Sequence, residues 1–280
     1  MHLNTALKIA RDILSIVNFK DDAEFFAKNL LSYLTGIDIK QLFLNKRKIL
    51  SVQEVNKYLA ALKRGVQGEP VSKIFNRRYF WRNEFYVNKD VLDPRPDSEV
   101  IIESVLNHFI RPNARILDLG TGSGCLLLTL LKEIKCAYGI GVDVSQNALN
   151  AAIRNAKSIG VIDRANFICG SWGEMLASKF DIIVANPPYI PTRDIAELSK
   201  NVKGFDPHIA LNGGEDGLSC YREIAKIIRG LLDPQIGAAF IEIGMGQAES
   251  VKIIFEDNDC SVKQVFKDLS GTDRCLKIQR

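Results

Sequence analysis

Residues 114–124 read "ARILDLGTGSG", and the reading of that stretch decides the fold. An apolar run of strand length gives way to glycines at Gly120, Gly122 and Gly124, and then to "CLLLTLLKEI", apolar for the length of a helix. A strand ending on glycines at the mouth of a helix brings backbone N–H groups and a helix N-terminus to a sheet edge, where a ligand can approach closely. Outward from there the rhythm repeats. "AYGIGVDV", "ANFICG", "FDIIVA" and "GAAFIEIG" read as strands; "SQNALNAAIRNAKSIG", "CYREIAKIIRGLL" and "QAESVKIIFEDN" read as helices. Near-continuous apolar strands separated by amphipathic helices predict a mainly parallel sheet covered on both faces. The last two strands, "SVKQVFKD" and "RCLKIQR", have little between them and close the sheet as an antiparallel pair. The expected fold is a doubly wound, Rossmann-like α/β domain.

The glycines restrict the ligand. A dinucleotide fingerprint needs its third glycine at position 125, which is Cys125 here. Asp143 ends the next strand, placed to accept two hydrogen bonds from a ribose diol, while Ser145 is the better N-cap for the helix that follows. With no third glycine and no phosphate-loop lysine, the spacing favours a nucleoside without a pyrophosphate. S-adenosylmethionine is the candidate: acceptors stabilise its sulfonium, and its amino-acid tail can reach the amides of Gly120, Thr121, Gly122, Ser123 and Gly124. Trp172 follows the third strand of this domain, placed to wall in an adenine ring.

The fourth strand runs into "NPPYIP" from Asn186. Two prolines supply no N–H and stop the strand, leaving carbonyl acceptors on a stiff edge. An amide or aromatic amine is a poor nucleophile because its lone pair is delocalised. Holding both of its N–H groups on fixed acceptors, Asn186 Oδ1 and the Pro187 carbonyl, orients the nitrogen for attack. Tyr189, with Pro188 beside it, offers a flat face. The motif reads as a clamp for a planar –NH2, with Asn186, Pro187 and Tyr189 as catalytic candidates.

The front of the chain has a different texture. Apolar residues recur at helical spacing (Leu7, Ala10, Ile13, Leu14 and Val17; then Phe25, Phe26, Leu30, Leu31 and Leu34), and "SVQE" from Ser51 predicts a capping box. Residues 1–73 are expected to be a small helical domain. Residues 74–93 read as a β-hairpin linker turning at Arg82-Asn83, and residues 94–280 as the α/β domain, entered by a helix from Ser98 to Phe109. Through Asn88 the chain carries 15 Lys and Arg against 8 Asp and Glu, and 22 against 25 thereafter. That division suggests a front that faces something anionic. Six scattered cysteines without a C-x-x-C pair point to a reducing compartment, the cytoplasm, and away from a metal site. No apolar run reaches the roughly 18–20 residues of a membrane span, and the N-terminus lacks a signal peptide's apolar core.

Taken together, "FW" (Phe80-Trp81), "PRPDSE" (from Pro94), "LDLGTGSG", "VDVS", "NPPYIP", "FDPHIALNGGEDGL" (from Phe205), "EIGMGQ" (from Glu242) and "KDLSGTDR" (from Lys267) resemble the HemK/PrmC family. Its members are N5-glutamine methyltransferases that modify the Gly-Gly-Gln motif of peptide chain release factors. NPPY alone is shared with adenine-N6 methyltransferases; the "PRP" and "GGEDGL" context is far more specific. The resemblance implies a class I S-adenosylmethionine-dependent fold. It implies that Gly120 to Gly124, Asp143, Trp172 and Asn186 contact the cofactor, and that Asn186, Pro187, Pro188 and Tyr189 hold the substrate glutamine. It further implies that Arg95 fixes the linker against the active site, on its substrate side, and that the helical domain and the hairpin help grip the release factor. Three departures stand out: Ser171 where the family has Asp, Asn76 and Tyr79 where it has Gly and Glu, and Asp93 where it has an apolar residue.

The expected reaction is direct in-line methyl transfer with no metal and no covalent intermediate, by a monomer. Proton loss follows transfer, because a methylated amide nitrogen is strongly acidic. Alternatives are glutamine methylation of a ribosomal protein, adenine-N6 methylation of nucleic acid, and a binding protein that has lost transfer. The adenine reading needs a flipped base and a target-reading domain, and no segment after NPPY is long enough to be one.

Overall fold

The computed structural model describes residues 1–16, 23–108 and 111–280; Val17 and Phe109, expected to be helical, lie outside the described residues. By its internal contacts the chain divides into two units, residues 1–76 with 199–205, and residues 77–198 with 206–280.

The first unit is helical: α1 (Leu3–Ile16), α2 (Ala23–Thr35), α3 (Val52–Val66) and α4 (Val71–Phe75), with a single turn, α8, at Lys200–Lys203. Its core uses Leu3, Ala6, Ala10 and Leu14 of α1 against Phe26, Ala27, Leu30 and Leu31 of α2. Ile13 and Phe25, expected on the apolar face, are exposed instead. The 3–4–4 spacing from Leu3 defines the buried stripe, and its alanines allow close approach. The capping box forms as the sequence predicts: Glu54 N donates to Ser51 Oγ (3.2 Å) and Ser51 N to Glu54 Oε2 (2.7 Å). Asn76 closes α4 in the left-handed region at φ 54°, a conformation Asn tolerates, so the turn survives the loss of the family's glycine.

Tyr58 of α3 is fully buried and donates its hydroxyl to the Ala6 carbonyl at 2.6 Å. Tyr58→Phe is expected to cost about 1 kcal/mol, read as a lower urea midpoint by circular dichroism. No change would mean that this bond is replaced by water on unfolding without net loss.

The second unit begins with the hairpin β1 (Arg77–Phe80) and β2 (Asn83–Tyr86). Phe80 pairs with Asn83, so the turn is Trp81-Arg82, one residue earlier than the sequence reading, with Trp81 at φ 55°. The hairpin packs within this unit: Trp81 N donates to Glu99 Oε1 (2.7 Å) and its indole N–H to Glu133 Oε1 (2.9 Å).

The sheet contains β3 (Arg115–Leu119), β4 (Tyr138–Asp143), β5 (Ala165–Cys169), β6 (Ile182–Ala185), β7 (Ala238–Glu242), β8 (Ser261–Lys267) and β9 (Asp273–Gln279). Their order is β5-β4-β3-β6-β7-β9-β8. β9 runs antiparallel to both neighbours and every other pairing is parallel, as the sequence predicts. Period-2 alternation divides the side chains between two cores. Ile116, Ile182, Val184, Ala238 and Phe240 face one side with α5 (Glu99–His108) and α6 (Cys125–Glu133), joined by the end of α7 (Gln146–Ile159). Leu117, Leu119, Ile183, Ala185, Ala239 and Ile241 face the other with α9 (Ser219–Leu231) and α10 (Ala248–Glu256). Successive strands step outward from β3 through β4 to β5 and then return to β6. The switch point therefore falls between β3 and β6, where such sheets open a crevice. No helix among the described residues is long and apolar enough to cross a membrane.

Candidate active site

β3 delivers Gly120–Gly124 to that crevice and β6 delivers Asn186. Gly120, Gly122 and Gly124 all have positive φ (72°, 55° and 79°). At Gly124 a Cβ would also lie 2.9 Å from Leu128 Cδ1 and 3.3 Å from Ala152 Cβ, so the start of α6 can pack on α7 only without a side chain there. Asp143, at the end of β4, spans the crevice edge. Its Oδ2 accepts from Gly122 N at 2.8 Å and its Oδ1 from Ser145 N at 2.9 Å, which fixes the carboxylate and leaves further lone pairs to the crevice. Ser145 caps α7, as expected, by accepting from Ala148 N. Trp172 sits at φ 46°, and its indole N–H donates to Glu223 Oε2 at 2.5 Å.

A cavity of about 310 Å³ opens here, within the range of small-molecule sites. Of the residues singled out from sequence, Arg95, Gly120, Thr121, Gly122, Ser123, Asp143, Trp172, Asn186 and Pro188 line it; Gly124, Pro187 and Tyr189 are not among its lining residues. The lining contains Asp90, Asp143 and Glu223 against one cation, Arg95, and Arg95 is bonded to Asp206 (2.9 Å). Excess acceptors suit a sulfonium and repel a pyrophosphate. A side chain at Gly122 would point into open space beside the Gly120 carbonyl, a cradle for a ligand's backbone-bound end. The residues present therefore fit S-adenosylmethionine.

Three segments hold the clamp. Ile190 N donates to the Leu211 carbonyl (3.1 Å) and Gly213 N to the Ile190 carbonyl (2.9 Å). Gln247 Nε2 donates to the Tyr189 carbonyl at 3.0 Å, its Oε1 accepting from Gly244 N. Asn186 Nδ2 donates to Ser98 Oγ at 2.9 Å. Asp93, unexplained by sequence, is buried beside Arg78 (3.8 Å), and its N–H donates to Asp206 Oδ1 (3.1 Å). Arg78 also donates to the Pro94 carbonyl (2.9 Å). The carboxylates Asp93 and Asp206 thus bind the "PRP" segment between the hairpin and "FDPHIA", with Arg95 as the second cation of that network.

Two carboxyls behind the crevice, Asp118 and Glu242, are almost fully buried. Desolvation pushes each up to about 7, opposed at Asp118 by hydrogen bonds from Thr121 and Leu127 N and at Glu242 by hydrogen bonds from Ser98 and by Arg274. Unfolded, they titrate in the ordinary carboxylate range. Between there and pH 7 the native chain holds protons that the unfolded chain has released. These groups therefore stabilise the fold as pH falls through that window, and the gain is lost as pH rises through 7. Asp118→Asn is expected to flatten the rise in thermal midpoint from pH 8 to 6; an unchanged slope would place the proton elsewhere.

Ser98, Asp206, Glu223, Glu242 and Gln247 were not assigned roles from sequence. Glu242 carried a signal, as the one charged residue closing an otherwise wholly apolar strand. Among the described residues no group of three or more His, Cys, Asp or Glu side chains is placed to hold a metal.

Residues 5–75 match the family model described as the PrmC N-terminal domain, and residues 110–236 match one described as a methyltransferase domain. A release factor glutamine methyltransferase of Rhodospirillum rubrum is 41% identical over 254 residues, covering 91% of this chain and 78% of the relative. One of Bradyrhizobium diazoefficiens is 38% identical over 265 residues, covering 93% and 89%. Among solved structures, a methyltransferase from Pyrococcus furiosus matches 81% of this chain and 98% of its own, with a TM-score of 0.51 at 16% identity, a likeness of fold alone.

Proposed function

This chain belongs to the family of release factor glutamine methyltransferases, and on that premise we propose that it methylates N5 of the glutamine in the Gly-Gly-Gln motif of a peptide chain release factor. The observation that carries the reading is the anchoring of Asn186. Its Nδ2 is committed to Ser98, so Oδ1 is the end left to accept from a substrate. With the Pro187 carbonyl it offers two acceptors to a primary amide, whose nitrogen carries two N–H donors.

When bound, S-adenosylmethionine supplies an electrophilic methyl group on a sulfonium. Gly120 to Gly124 would meet its amino-acid end, Asp143 its ribose and Trp172 its adenine; Ser171, in place of a carboxylate, would accept from that ring more weakly. Asn186 and Pro187 orient the substrate nitrogen, and Pro188 and Tyr189 flank the amide plane. Arg95 acts on the substrate side by holding the "PRP" segment to Asp206. No residue takes the proton before transfer; it leaves once methylation has made the nitrogen acidic. The basic helical unit is the part that grips the release factor. The enzyme works as a monomer in the cytoplasm, on protein and not on nucleic acid.

The test is incubation with methyl-labelled S-adenosylmethionine and a release factor from the same source, with the modified residue read by peptide mass spectrometry. One methyl on the Gly-Gly-Gln glutamine supports the reading. Label on a ribosomal protein glutamine, or on adenine, would replace it.

A further inference from the structure

Asn186 can clamp an amide only if its oxygen faces the crevice, and an Asn side chain has two nearly isosteric orientations. Something must choose between them. β6 and β7 run parallel with Ala185 opposite Ile241, so Asn186 and Glu242 are the next residues along on neighbouring strands. Ala185 and Ile241 belong to the core beneath α9 and α10; by alternation Asn186 and Glu242 turn to the opposite face, where the turn Pro96–Ser98 leads into α5. Ser98 (2% exposed) and Glu242 (1% exposed) are sealed there. Ser98 Oγ accepts from Asn186 Nδ2 at 2.9 Å, so its own proton is free to be donated onward. Ser98 and Asn186 both lie near enough to the Glu242 side chain to oppose the upward push of burial on its carboxyl. Glu242 Oε2 has no hydrogen-bond partner among the described residues, which leaves an acceptor open to the Ser98 proton.

We propose that Glu242 is a positioning residue for methyl transfer: as an acceptor-only terminus, its carboxylate fixes the direction of the Asn186–Ser98 hydrogen bond and keeps Asn186 Oδ1 toward the substrate. A carboxylate can only accept, so Ser98 must donate to it and accept from Asn186, and a flipped Asn186 would set its oxygen against the negative charge. A protonated Glu242 can donate to Ser98. Ser98 can then donate to Asn186, the amide turns over, and its NH2 faces the substrate's NH2, donor against donor. The inference rests on the glutamine reading for its catalytic consequence, but not for the relay itself.

The relay also makes the site sensitive to pH. Burial pushes Glu242 up to about 7. The groups facing it are Arg274 of β9, which opposes that rise, and Asp97 of the Pro96–Ser98 turn, which adds to it. The phenols of Tyr189 and Tyr221 and the thiols of Cys125 and Cys275 also face it, all themselves shifted upward and uncharged at neutral pH.

Two readouts test the proposal. The first needs no substrate: in protein labelled with 15N-asparagine, the Asn186 side-chain NH2 signal, assigned by its absence from Asn186→Ala, is followed from pH 6 to 8.5. It is expected to titrate with a midpoint near 7, and not to titrate in Glu242→Gln. The second is the pH profile of kcat at saturating substrate. Wild type is expected to lose rate tenfold per pH unit below its midpoint. Glu242→Gln is expected to fall by about 10- to 100-fold with a flat profile, while binding S-adenosylhomocysteine within about fivefold of wild type. Ser98→Ala should fall similarly and Ser98→Thr recover most of the rate. A flat Asn186 signal in wild type, or a Glu242→Gln enzyme with wild-type rate and profile, overturns the relay. Titration of Asn186 without methylation of the glutamine supports the relay and overturns the substrate assignment alone.

Discussion

Asn186→Ala is expected to lower kcat by roughly a thousandfold or more, the scale lost when a group aimed at the reacting atoms is removed. That corresponds to about 4 kcal/mol of transition-state stabilisation. The fall should appear in kcat and in kcat/KM together, because Asn186 Oδ1 orients the nucleophile rather than holding the bulk of the release factor. Stability should change little. The side chain is half-buried, and its bond to Ser98 contributes about 1 kcal/mol. Single-turnover methyl transfer beside a thermal melt separates the two. A variant that folds, binds S-adenosylhomocysteine and still turns over within tenfold of wild type would remove Asn186 from the chemistry.

Gly217→Ala is expected to damage both stability and rate from a residue that touches neither ligand. Gly217 has φ 77°, which costs an L-residue about 1–2 kcal/mol. Its Cβ would lie 2.5 Å from the Tyr189 carbonyl oxygen, 2.9 Å from Gln247 Nε2 and 3.2 Å from Pro191 Cδ. The closest of these is backbone and cannot rotate away. Either the "GGEDGL" loop lifts or the clamp shifts. A loss of roughly 2–4 kcal/mol is expected. If the clamp shifts by even about 1 Å, kcat falls about 100-fold besides. Gly230, where a Cβ would meet nothing within 4 Å, is the control: Gly230→Ala should leave the rate at wild type. Wild-type kcat and melting in Gly217→Ala would show that the loop does not brace the clamp.

The α/β unit was legible because the central strands β3, β6 and β7 are buried on both faces and so read as apolar runs. Asp143 and Asn186 were legible for a related reason: they end such runs, and a polar residue at the carboxyl end of a parallel strand has a crevice to face. What sequence could not show was pairing between segments far apart in the chain. Asp93 looked anomalous until Arg78 and Asp206 were found beside it. Ser98 lay within a motif, but its partner is 88 residues away. The hairpin was found yet turned one residue too late, because Trp81 takes a positive φ that its side chain does not advertise. Ile13 and Phe25 show the limit of periodicity, since a helix with apolar residues on two faces leaves the choice of buried face to tertiary packing.

The assignment of residues 199–205 to the helical unit bears on how the protein is made. Synthesis runs from the N-terminus at about 5–20 residues per second, so α1 to α4 emerge first. Their last partner segment is encoded roughly 120 residues later, a wait of about 6–24 s. The helical unit can condense early but cannot be finished until β3 to β6 and the clamp have left the ribosome. An expression plasmid that ends after residue 76 therefore produces a unit lacking one of its own pieces. One that begins at residue 77 leaves Val202 and Phe205, both partly buried in the intact chain, without the rest of their unit. Dissection of this enzyme should follow contacts rather than chain order, joining 198 to 206 in the catalytic half.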